Sequence, residues 1–74
     1  MDVNQIEKKS QLIKAIFKTQ SDLKKAHTNF EFAEEGLIDF YTYQIKALQS
    51  KLDYLTRIAK LKNIDFNLLN EDVI

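Results

Sequence analysis

Leu37-Ile38-Asp39-Phe40-Tyr41-Thr42-Tyr43-Gln44-Ile45-Lys46-Ala47-Leu48-Gln49-Ser50-Lys51-Leu52-Asp53-Tyr54-Leu55 is the most regularly patterned run of the chain. Through it and just beyond, Leu37, Tyr41, Ile45, Leu48, Leu52, Leu55 and Ala59 succeed one another at steps of 4, 4, 3, 4, 3 and 4. Apolar residues so spaced share one face of an α-helix, because a turn takes 3.6 residues. The period predicts a helix over about 37–63.

Upstream, Leu12, Ile16, Thr19, Leu23, Ala26 and Phe30 step by 4, 3, 4, 3 and 4, the a/d spacing of a coiled-coil-type seam. A first helix is predicted over about 4–29. Asn4 can accept an amide proton of its first turn while Glu7 reaches back, as in a capping box; Asp2 with Gln5 offers the same arrangement two residues earlier. Between the helices lies a turn over about 30–36, with Asn29 suited to the left-handed conformation that ends a helix. A rival reading carries the first helix through Ala33 and ends it at Gly36; the longer turn is preferred. Asp39, three residues after Gly36, can cap the second helix. After Ile64 the period is lost, and residues 65–74 form either a short helix capped by Asp65 or a frayed tail.

The two seams match if the helices fold back as an antiparallel hairpin over residues 1–64. Ala26 then faces Tyr41, Leu23 faces Ile45, Thr19 faces Leu48, Ile16 faces Leu52 and Leu12 faces Leu55. Small residues meet large ones, which fills space evenly. The expected hairpin core is Leu12, Ile16, Leu23, Phe30, Tyr41, Ile45, Leu48, Leu52 and Leu55, and the expected fold class is all-α.

Composition agrees. Seventy-four residues hold one small core, and 45% apolar with 30% charged residues is a globular balance. With no Pro and one Gly, the tight turns of an all-β fold lack their usual residues. The absence of Cys excludes disulfides and thiolate zinc sites. No apolar run approaches the roughly 18 residues of a membrane span, and Met1-Asp2-Val3-Asn4 does not begin a signal peptide, so a cytoplasmic protein is expected. Eleven basic residues balance eleven acidic ones, so net charge favours no nucleic-acid or membrane partner.

The second helix carries more apolar surface than one seam uses. Phe40, Ala47, Tyr54 and Leu61 recur every seven residues, with Tyr43 and Ile58 alongside, about a third of a turn from the main seam. Phe40, Tyr43, Tyr54, Ile58 and Leu61 are therefore the expected interface, in a homo-oligomer (a dimer first) or with another protein.

Residues for chemistry are few. His27 is the sole histidine, and Ser10, Ser21 and Ser50 stand outside any strand-to-helix elbow, so no catalytic residue and no enzyme activity is expected. Glu31, Glu34, Glu35 and Asp39 gather acid at the turn but lack the Glu-x-x-His pairs of a di-metal bundle, so neither metal nor other cofactor is expected. Lysines load both helices. Ten Lys to one Arg is a poor set for base readout, which leaves weak, nonspecific nucleic-acid binding as the alternative function.

The blocks Asn29-Phe30-Glu31-Phe32-Ala33, Leu37-Ile38-Asp39-Phe40-Tyr41-Thr42-Tyr43-Gln44-Ile45-Lys46-Ala47, Leu52-Asp53-Tyr54-Leu55 and Ala59-Lys60 resemble the YaaL-like family of small bacterial proteins. The likeness extends over about Leu12 to Ile64. The chain departs from the pattern in lacking a Pro before Leu37 and in having Leu52 where an aromatic is common. The resemblance implies a bacterial cytoplasmic protein and agrees with a helical hairpin. It carries over no catalytic residue, because the family has no assigned activity.

Overall fold

The computed structural model describes residues 3–64, with side chains from Lys8 to Ile64. It is all-helical. Helix α1 spans Val3–Glu31, a single 3-10 turn spans Glu35–Leu37, and helix α2 spans Ile38–Leu61. The two helices pack against each other. The tail at residues 65–74 lies outside the described residues.

The four buried residues all lie on the two seams. Ile16, Thr19 and Ala26 of α1 and Ala59 of α2 are buried. Leu12, Leu23, Tyr41, Ile45, Leu48, Leu52 and Leu55 are half-buried, as expected when two helices cover only one side of each other. The most buried seam positions are small or β-branched, residues that allow two helix backbones to approach closely. Thr19 suits such a position because its hydroxyl donates to the Ala15 carbonyl at 2.7 Å. No buried side-chain donor or acceptor among the described residues lacks a partner.

Phe30 departs from the expected core and is 40% exposed. It sits one residue before α1 ends, where the seam has run out of neighbouring helix. The boundaries differ too. Helix α1 already includes Val3, which makes Asn4 a helical residue rather than the cap. It runs through Asn29 and stops at Glu31, with Phe32 and Ala33 still donating to the Thr28 and Phe30 carbonyls. Asp39 does not cap from three residues after Gly36. The N-cap residue of α2 is Leu37, with no side-chain bond to the helix, and Asp39 lies in the first turn. There its carboxylate still favours the positive helix end.

The left-handed residue is Asn63, at φ 58°, after α2 rather than after α1. Ile64 donates its amide to the Ala59 carbonyl at 3.0 Å, and Asn63 donates to Lys60 at 3.1 Å. That pair of bonds is a Schellman closure. It lays half-buried Ile64 back toward Ala59, which is 0% exposed.

Gly36, by contrast, uses none of glycine's freedom. Its φ is not positive, and a Cβ built there meets nothing within 4 Å. Gly36→Ala therefore restricts the unfolded chain without straining the folded one and should stabilise by about 0.4–1 kcal/mol. A thermal melt checks it: the midpoint should rise, and a fall would show that the turn needs glycine after all.

Candidate functional site

The outward side of α2 holds a row of large exposed apolar residues. Phe40 is 57% exposed, Tyr43 69%, Tyr54 59% and Leu61 80%; Ala47 between them is exposed as well. Four of the five predicted interface residues thus stand open along one helix. Ile58, the fifth, is half-buried, because at 100° per residue it lies nearer the side that faces α1 than Leu61 does.

Local contacts hold this surface in shape. The Phe40 and Tyr41 rings meet edge-on at 5.0 Å between centroids. This ties an outward aromatic to one in the seam. The Lys46 ammonium stands 5.9 Å above the Tyr43 ring. Gln49 Nε2 donates to Asp53 Oδ1 at 3.0 Å, and Thr42 donates to the Ile38 carbonyl at 2.8 Å. Tyr54 and Leu61 show no such tie.

A second exposed apolar group, outside the heptad-spaced row, sits at the connection. Phe32 is the most open residue there, with Phe30, Leu37 and Ile38 also exposed. Glu31, Glu34, Glu35 and Asp39 surround them in the chain and are exposed too. Phenylalanine within an acidic turn is the signal by which the sequence marks it.

The residues weighed for chemistry are dispersed. His27, Ser10, Ser21 and Ser50 are all exposed. Among the described residues, no three of His, Cys, Asp and Glu group as metal ligands would. The lysines of both helices are mostly exposed. Lys18 reaches Asp22 at 2.8 Å, the ion pair present among the described residues. That hydrogen bond, reinforced by the charges of Lys18, Lys25 and Lys51, holds the Asp22 carboxyl below its ordinary range. Since Lys51 belongs to α2, its charge acts on Asp22 across the helix pair. Among the described residues, no helix is long and apolar enough to cross a membrane.

A family model described as "Protein of unknown function (DUF2508)" matches residues 3–66 of this chain. No curated protein and no solved structure matches it. By that match, which takes in both helices and their connection, the chain belongs to the DUF2508 family.

Proposed function

We propose that this member of the DUF2508 family is a protein–protein interaction module, an antiparallel helical hairpin that self-associates through the outward side of α2 and carries out no catalysis. The observation that carries the reading is the row of Phe40, Tyr43, Tyr54 and Leu61, each more than half exposed on one helix. Large apolar side chains held open together in so small a chain cost free energy in water, and association removes that cost. Chain length supports the hairpin. The six residues 32–37 reach about 21 Å fully extended, whereas α2, at 24 residues, is about 36 Å long. So short a link lets α2 lie alongside α1 only by turning back. The YaaL-like resemblance, with the bacterial cytoplasmic setting it implies, belongs to the same proposal.

Salt separates this reading from binding of nucleic acid by the lysine faces. Apolar association persists at high ionic strength, while phosphate binding falls steeply with it. Light scattering on the wild-type chain should give a mass above 8.7 kDa that rises with concentration and survives high salt. A monomeric mass, together with salt-sensitive retention of a DNA or RNA oligomer, would favour the nucleic-acid reading instead.

A further inference from the structure

If the outward side of α2 is an interface, as proposed above, its charged edge identifies the partner and the geometry. Beside the apolar row runs a second one: Asp39, Lys46, Asp53 and Lys60, each immediately before Phe40, Ala47, Tyr54 and Leu61. All four charged residues are exposed. None takes part in the ion pair found among the described residues, which joins Lys18 to Asp22. Lys46 rests over a tyrosine ring, and Asp53 accepts a hydrogen bond from the neutral amide of Gln49.

The signs alternate along this edge, minus, plus, minus, plus, one charge every two turns. Reversing the helix inverts the series. Two α2 helices packed antiparallel are related by a two-fold axis perpendicular to them, which sets each edge beside its own copy. With the axis between Gln49 and Ser50, Asp39 lies opposite Lys60 of the second copy, and Lys46 lies opposite its Asp53. Symmetry repeats both pairs, so four attractive pairs form and no like charges meet on this edge. The apolar row obeys the same reversal. Phe40 comes level with Leu61, Tyr43 with Ile58 and Ala47 with Tyr54, each within two residues, or about 3 Å along the axis. On the opposite edge the exposed Lys51 comes near its own copy once, whereas a parallel pair sets the two edges against each other, and there Lys46 faces Lys51 twice. Charge patterns of this kind fix orientation more than they add affinity.

We infer that the partner is a second copy of this chain, joined α2 to α2 in antiparallel register about a two-fold axis at Gln49–Ser50. The chain has no Cys, so single cysteines report the geometry cleanly. Ser50→Cys, Asp39→Cys and Lys60→Cys chains are each treated with a short bis-maleimide, alone and mixed. The Ser50→Cys chain should link to itself, since its two copies flank the axis. The Asp39→Cys and Lys60→Cys chains should link poorly alone, being about 30 Å from their own copies, and on the order of tenfold more when mixed, through proximity within the dimer. Self-linking of the Asp39→Cys chain alone would mean a parallel pair and overturn the inference. An oligomer that depends on the apolar row yet lacks this linking pattern would overturn the register and leave the interface standing. A monomeric wild type would overturn the self-partner.

Discussion

Ile16→Ala should lower stability by about 2–5 kcal/mol, because it deletes buried methyl groups where the neighbouring seam cannot close over the gap. Ile16 is one of three buried apolar residues among those described, beside Ala26 and Ala59, and it is the only large one. A chain of 74 residues has about 4–11 kcal/mol in total, so the loss is a large share of the whole. At about 4–8 °C per kcal/mol for a domain of this size, the melting midpoint should fall by about 10 °C or more. Gln20, exposed on the same helix, should tolerate Ala within about half a kcal/mol. Melts of all three chains at one fixed concentration keep association from confusing the comparison. Equal sensitivity at positions 16 and 20 would contradict the packing of α1 on α2.

Much of this architecture is legible in the sequence because the 3.6-residue period is a property of side-chain order alone. The steps through Ile16, Thr19 and Ala26, and through Leu48, Leu52, Leu55 and Ala59, mark the sides on which burial falls. Helix ends are less legible, because competing bonds there differ little in free energy. Asn29 and Asn63 carry the same side chain, yet only Asn63 turns left-handed. Their C-terminal neighbours make the difference. Ile64 gains an amide bond to Ala59 and apolar cover by folding back, whereas after Asn29 the helix gains more by continuing to Glu31. Gly36, the one glycine, marks the turn in the sequence but is conformationally ordinary within it.

The candidate surface is legible as well, but not its edge. Recurrence every seven residues marks Phe40, Tyr54 and Leu61 as a row distinct from the seam. A strict seven-residue repeat drifts about 20° per heptad on a straight helix, so the row is slanted. Ile58 lies at its margin toward α1 and is half-buried in consequence. The alternating charges Asp39, Lys46, Asp53 and Lys60 acquire meaning only once the outward side of α2 is known, since each charge alone is an ordinary solvated residue.

Whether α2 is an interface is decided by light scattering on a chain carrying Tyr54→Glu and Leu61→Glu, with circular dichroism on the same sample. Leu61 is substituted rather than Ile58 because, at 80% exposed, it lies outside the seam, so the packing of α1 on α2 loses nothing it uses. Glutamate is a good helix former, which keeps α2 intact. Two carboxylates buried without partners in an apolar interface should cost several kcal/mol of association, enough to raise the dissociation constant about a thousandfold. The mass should fall from that of an oligomer to an 8.7 kDa monomer with the helical signal preserved. An unchanged oligomeric mass at full helicity would contradict an interface on α2.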